Sequence, residues 1–273
     1  MIGALRVAGR ELAFGPAITH VMAVVNLSPE SRVSHSVVDG PDEALARARW
    51  ARTLGASIVD LGAQSSHFEN PELGADEELG RLLPALERLV DDGFVVSVDT
   101  WKPEVAEVAV AAGAAIVNDT GGLQDDRMVE VVAEHDVAAV LMHIEGVNPL
   151  MVGKRELSRG RPDDVAAALG TRASELRERG LDQLLVDPGL SINYRSDYES
   201  YGALQLETIR SLGELGALGY PVLVPVPRKK EDHRMVAYLT LSIDRGADVV
   251  RVHDIEEACD LVPMLGRELG VVT

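Results

Sequence analysis

Short apolar runs and longer amphipathic runs alternate along the whole chain. The apolar runs fall at 18–26, 57–63, 94–99, 115–118, 137–143, 184–187, 221–225 and 248–251. They are brief and rich in valine, which predicts strands buried on both faces of a parallel sheet. Between them, apolar residues recur at helical spacing over 41–54, 76–91, 103–112, 126–135, 162–179, 200–218, 230–245 and 256–269. Local punctuation agrees. Pro41 follows Gly40 where a first helical residue belongs, and Gly55 stands just past the last apolar turn. Ala44, Ala48, Ala51 and Leu54 share one face of that helix. Thr100 is a candidate cap for the third helix, with Pro103 in its first turn, and Gly113 and Gly180 stand where C-terminal glycines end helices. Eight strand–helix pairs match the size of a single-domain α/β protein, a (β/α)8 TIM barrel of ~250 residues. Residues 1–17 read as a lead-in covering the N-terminal end of a barrel formed by 18–273. A doubly wound open sheet is the alternative, because alternation alone does not prove closure.

Composition narrows the partners. The 273 residues carry 26 Lys and Arg against 44 Asp and Glu, a formal charge of −18. That balance argues against nucleic acid and against an anionic membrane surface, both of which need a broad basic face. The longest apolar run, 108–117, is broken by Gly113 and falls short of the roughly 18 residues of a span. Arg6 and Arg10 interrupt the N-terminal segment where a signal peptide needs apolar residues. Cys259 is the only cysteine, which excludes an internal disulfide or a cysteine-built metal site and reads as a small core residue. The expectation is a cytoplasmic protein.

Barrel chemistry gathers where strands end. Those ends carry Asn26, Asp60, Asp99, Asn118, His143 and Asp187, then Arg251 and His253, with Arg228, Lys229 and Lys230 after the seventh run. Singly, each is as readily a turn residue or helix cap, Asp60 and Asp119 above all. Together, amides and carboxylates converging on one mouth suit a planar, nitrogen-rich heterocycle. Arg251, His253 and Lys229 suit an anion, and a guanidinium grips phosphate with two parallel bonds. The residues therefore predict a heteroaromatic ligand carrying phosphate. His20, His135 and His233 lack metal-ligand spacing, and the acidic runs 76–78 and 91–92 read as solvated helix ends.

Eight segments carry a resemblance: VMAVVNLSPES (21–31), DLGAQSS (60–66), GADEELGRLLPAL (74–86), VSVDTWKPEVAEVAVAAGAAIVNDTGG (96–122), LMH (141–143), DPG (187–189), PRK (227–229) and RVHD (251–254). In this order, over nearly the whole chain, they resemble the dihydropteroate synthase family of pterin-binding TIM barrels. The resemblance implies a transferase of folate biosynthesis that joins 6-hydroxymethyl-dihydropterin pyrophosphate to p-aminobenzoate, or a related aromatic amine, and releases pyrophosphate. It implies that Asp99, Asn118, Asp187 and Lys229 hold the pterin. It implies that Asn26, Ser66, Arg251 and His253 hold the pyrophosphate, that Asn26 contacts Mg²⁺, and that Lys229, Arg251 and His253 take part in catalysis. A homodimer is the expected assembly. Two other readings stay open: a paralogue that binds pterin with little or no synthase activity, and, less favoured, a pterin-dependent methyltransferase.

The departures from the family pattern cluster in loops. After Asn26 the family has Thr-Pro-Asp-Ser-Phe-Ser-Asp-Gly-Gly, and this chain has Ser28-Pro29-Glu30-Ser31-Arg32-Val33-Ser34-His35-Ser36. The family's Ser-Thr-Arg-Pro-Gly becomes Ser65-Ser66-His67-Phe68-Glu69, which removes a loop arginine that Arg32, His35 or His67 would have to replace. The stretch after DPG becomes Leu190-Ser191-Ile192-Asn193-Tyr194, followed by Tyr198 and Tyr201. These three tyrosines are either surface residues with partly packed rings or rings that reshape the acceptor side.

Overall fold

The computed structural model describes residues 3–152, 162–190, 192, 198–227 and 233–273. It begins with a hairpin, β1 (Leu5–Val7) and β2 (Arg10–Leu12), turned by Ala8 and Gly9, which both take positive φ. Eight parallel strands follow: β3 (Ile18–Asn26), β4 (Ile58–Gly62), β5 (Val96–Asp99), β6 (Ile116–Asp119), β7 (Ala138–Met142), β8 (Leu184–Asp187), β9 (Leu223–Pro225) and β10 (Val249–Val252). Their order is β8-β7-β6-β5-β4-β3-β10-β9. A parallel bridge between Val186 and Val222, with the Val186 N–H donating to Pro221 O at 2.9 Å, brings β8 against β9 and closes the ring. The open doubly wound sheet is thereby excluded, and the fold is a (β/α)8 barrel.

Helices α1 (Pro41–Leu54), α2 (Ala75–Asp91), α3 (Pro103–Ala111), α4 (Asp126–His135), a short α5 (Pro149–Val152), α6 (Pro162–Glu178), α7 (Tyr198–Arg210), α8 (Leu212–Gly216), α9 (Arg234–Asp244) and α10 (Ile255–Met264) pack outside. Gly55, Gly113 and Gly180 all take positive φ just past helix ends, as expected. Four local readings need correction. Lys102, not Thr100, is the N-cap of α3, and Thr100 Oγ1 accepts the Lys102 N–H at 3.2 Å. The helix expected over 200–218 is two helices, broken at Ser211. The last helix stops at Met264, and Glu268–Leu269 forms a strand, β11, against Ile18 and Thr19. Glu78, read as part of a solvated acidic run, is fully buried and paired with Lys102.

The alternation of strand side chains fixes the site. The barrel floor is one apolar layer containing Met22, Ile58, Val95, Ile116, Leu185, Leu223 and Val249, and the hairpin's Leu5, Val7 and Leu12 pack into it from below. Side chains two residues further along a strand point the same way. Above Ile58, Val95, Ile116, Leu185 and Val249 therefore stand Asp60, Ser97, Asn118, Asp187 and Arg251. Above Met22, Val140 and Leu223 stand Val24, Met142 and Pro225. At this level β6, β5 and β4 give a contiguous polar stretch, while Asp187 on β8 and Arg251 on β10 are each set off from it by one apolar position, Met142 on β7 and Val24 on β3. Below, His20 ties the ends together: Nε2 lies 2.9 Å from Ala13 O and Nδ1 lies 3.0 Å from Ser57 Oγ.

Candidate active site

Asp60 is the hub of the polar layer. It is fully buried, accepts a hydrogen bond from Ser97 Oγ at 2.6 Å and faces Asn118 Nδ2 at 3.3 Å. Arg251 Nε donates to Asp60 Oδ2 at 2.6 Å, and Arg251 Nη2 donates to Asp99 Oδ2 at 2.6 Å. Two of the five guanidinium N–H donors are thus held, and 16% of the side chain remains exposed. Asp187 Oδ1 accepts the Gly189 N–H at 2.6 Å. Gly189 sits at φ +75°, where a Cβ would collide with the His143 carbonyl, so the turn that presents Asp187 requires glycine.

The electrostatics follow from burial. Asp99 is pushed up to about 7 chiefly by burial, with Arg251 opposing and Asp60 adding to the rise. Asp187 rises to about 7 for the same first reason, against the pull of the Gly189 N–H and Arg251. Burial disfavours the charged form of Arg251, but Asp60 and Asp99 outweigh it and hold the guanidinium firmly protonated. Two carboxyls near one cation, Asp99 and Asp187, thus sit close to their protonation boundary at neutral pH. Hydrogen-bond donors on a ligand edge would find willing acceptors there.

The anion-side residues lie toward the loop after β3, called loop 1 (residues 27–40). Asn26, at the end of β3, accepts the Ser28 N–H through Oδ1 at 2.9 Å. His253, just past β10, meets Ser36 Oγ through Nδ1 at 2.7 Å. Ser66 is half-buried in the loop after β4, called loop 2 (residues 63–74), and among the described residues no hydrogen bond joins it to Arg251 or His253. Lys229, with Arg228 and Lys230, lies outside the described residues, as does Tyr194. Asp119 points away from the cluster: its carboxyl accepts the Gly121 and Leu123 N–H groups at 2.6 and 2.7 Å and closes the following turn.

Loops 1 and 2 are clasped together. Arg81, on α2, reaches both oxygens of Glu30 at 3.1 and 3.2 Å, Arg32 pairs with Glu69, and Asn70 Nδ2 donates to Ser65 Oγ at 2.6 Å and to Glu30 O at 3.3 Å. The three candidates for the missing loop arginine fare differently. Arg32 is exposed and engaged by Glu69. His67 is buried and stacked on Phe68, and burial and then Arg32 lower its pKa, so it is neutral at pH 7. His35 leans on the strand end instead, with Nε2 3.4 Å from Asp254 Oδ1. The Tyr201 hydroxyl bonds to Leu190 O and Ile192 O at 2.9 and 2.6 Å and holds the loop after Asp187. Sequence reasoning undervalued Asp60, because its signal is not a strand end but its parity with Ile58 two residues earlier.

A ring of polar groups above an apolar floor, at the C-terminal mouth of a closed barrel, defines a barrel protein that binds a small polar heterocycle. The family model for pterin-binding enzymes matches residues 22–253. The dihydropteroate synthase of Bacillus subtilis is 32% identical over 268 residues, covering 92% of this chain and 89% of that one. Among solved structures, Thermus thermophilus dihydropteroate synthase in complex with 4-aminobenzoate is 34% identical, with a TM-score of 0.79 over 96% of this chain and 98% of that one. The same enzyme in complex with 6HMPPP is 33% identical, with a TM-score of 0.77 over 96% and 97%. The chain belongs to the dihydropteroate synthase family of pterin-binding enzymes.

Proposed function

We propose that this chain is a transferase joining 6-hydroxymethyl-dihydropterin pyrophosphate to p-aminobenzoate, with release of pyrophosphate. The observation that carries this reading is the cluster of Asp60, Asp99, Asn118, Asp187 and Arg251. It supplies acceptors, an amide and one fixed cation within one barrel interior, as a pterin edge requires. Relatives that hold 4-aminobenzoate and 6HMPPP support the same substrates. In the reaction the C–O bond to pyrophosphate breaks with its electron pair leaving on phosphate oxygen. The amine nitrogen forms the new C–N bond and loses a proton. The chain's part is to hold the ring with Asp99, Asn118 and Asp187 and to stabilise the leaving charge with Arg251 and His253. Lys229 joins them on the resemblance alone.

The donor set fits Mg²⁺ delivered with the pyrophosphate. Among the described residues no group of three or more His, Cys, Asp or Glu side chains could hold a metal. Asn26 keeps one lone pair beyond its bond to Ser28, which suits an ion bound mainly by phosphate and water. When bound, Mg²⁺ neutralises charge on the leaving group. Cytoplasmic action and a homodimer are proposed on family membership, the latter to be read by sedimentation.

One observation favours a second reading, a pterin-binding paralogue with little turnover: in the clasped loops Arg32 is neutralised by Glu69 and His67 is uncharged. Purified protein with Mg²⁺, the pterin pyrophosphate and p-aminobenzoate separates the two. Pyrophosphate release is the expected result. Pterin binding without release selects the paralogue, and no pterin binding at high concentration overturns both.

A further inference from the structure

Among the described residues Arg47, half-buried on α1, hydrogen-bonds only to main-chain carbonyls. Nε donates to Val24 O at 3.1 Å, Nη1 to His35 O at 3.1 Å and Nη2 to His253 O at 3.0 Å. Burial lowers its pKa and Asp254 opposes, and a guanidinium stays charged regardless. The strand register explains the place. β10 pairs with β3 as far as Val252 on Ala23, whereas β4 pairs with β3 out to Gly62 on Asn26. The seam between β3 and β10 therefore opens early. Val24 O and His253 O lie just past its last pair, and a buried carbonyl without a partner is costly. Arg47 supplies a donor to both and reaches loop 1 with its third nitrogen. The residues that α1 buries against the barrel are small, Ala44, Ala48 and Ala51, so the longer Arg47 extends from beside them to the strand ends. Trp50, one turn further on, places its ring centroid 5.9 Å from the guanidinium carbon.

We propose that Arg47 is a positioning residue for the anion side of the site: by pinning the ends of β3 and β10 and loop 1 to one another, it fixes the spacing of Asn26 and His253. Asn26 is the last residue of β3, just beyond Val24, and His253 follows β10 directly. The inference rests on the pyrophosphate reading above for its ligand, but not for the pinning. Arg47 acts through main-chain groups, not on the substrate. The fork of the guanidinium is what matters. Three carbonyls on three segments each take a different nitrogen, which the single ammonium of a lysine at the same place cannot match. Charge alone would survive that exchange.

Calorimetry on the full chain with two probes tests this: inorganic pyrophosphate with Mg²⁺, and 6-hydroxymethylpterin, which carries no phosphate. Arg47→Lys is expected to weaken pyrophosphate binding on the order of tenfold while pterin binding stays within about twofold. Arg47→Met, which also removes the charge, is expected to lose at least as much. Wild-type pyrophosphate affinity in either variant overturns the proposal. An equal loss for both probes also overturns it, because that marks a general structural role. Amide exchange reads the pinning without a ligand. Arg47→Lys should speed exchange in residues 33–38 and 252–254, and unchanged exchange there overturns the proposal. So does failure of both variants to fold, because Arg47 would then hold up the barrel rather than the site. Absence of pyrophosphate binding in the wild type instead removes the functional reading, while the exchange result still decides the pinning.

Discussion

Replacing Asp60 by alanine would leave the Arg251 guanidinium with Asp99 as its one hydrogen-bonded carboxylate among the described residues and would strip Ser97 and Asn118 of their shared acceptor. Removing one partner from a buried ion pair strands the other, so Asp60→Ala should lose about 3 kcal/mol of stability in urea denaturation and also lose pterin binding. A stability change below about 1 kcal/mol would contradict the hub role. Gly189→Ala tests the neighbouring turn. Its left-handed backbone and the carbonyl of His143 leave no room for a methyl group. The expected loss is about 2–4 kcal/mol, with Asp187 displaced from the ligand edge and pterin affinity reduced. Unchanged affinity would show that the turn does not position Asp187. The chemical types at these positions were legible in the sequence. Their pairing was not, because Asp60 and Arg251 stand 191 residues apart and meet only when β4 and β10 flank β3.

At the scale of elements, Glu30–Arg81 ties loop 1 to α2, beside the contacts of loop 1 with loop 2 at Arg32–Glu69 and Asn70–Glu30 O. The Arg81 hydrogen bond leads the causes that lower the Glu30 pKa, burial opposing and Ser28 assisting. The pair is partly exposed, so a double-mutant cycle with Glu30→Gln and Arg81→Met should give only about 0.5–1 kcal/mol of coupling. Its larger effect is local. Arg81→Met should speed amide exchange in residues 27–36 and 65–72 while leaving the barrel strands protected. Unchanged exchange in both loops would show that other contacts hold them. Most strand and helix limits could be read from the chain to within two residues, because glycines such as Gly55 and Gly113 take the positive φ that ends a helix. The final strand could not be read, since Glu268–Leu269 is extended only through its pairing with Ile18 and Thr19, some 250 residues earlier.

For the whole molecule, burial of carboxyls governs the response to pH. Asp99 and Asp187 sit at about 7, and Asp119 and Asp248 at about 6, all raised first by burial from 3.8. Each binds its proton more tightly folded than unfolded. The stability this gives is complete below the unfolded value and is lost as pH rises through the folded one. Tm should therefore fall between pH 5 and 7.5, and self-repulsion of a chain at −18 acts in the same direction. Asp187→Asn should flatten that slope. A Tm that climbs over this interval would refute the assignment of these carboxyls as buried and protonation-poised. The net charge does not oppose the proposed anionic ligand, because exposed charges beyond ~8–10 Å are screened at physiological salt and the proposed contacts of Arg251 and His253 would act locally.

Closure of the barrel was shown only by the bridge between Val186 and Val222, while the sequence by itself determined the alternation of elements, the polar residue types at the strand ends and the family. Each of these depends on local periodicity or on short contiguous motifs. Tertiary structure decided which polar groups share a proton or a charge: Asp60 beneath Arg251, Glu78 inside on Lys102, Tyr201 on the loop after Asp187, and Ser36 on His253. The physical reason is distance along the chain. A hydrogen bond fixes its partners by direction and reach in space, and barrel closure, not the order of residues, brings those partners within about 3 Å.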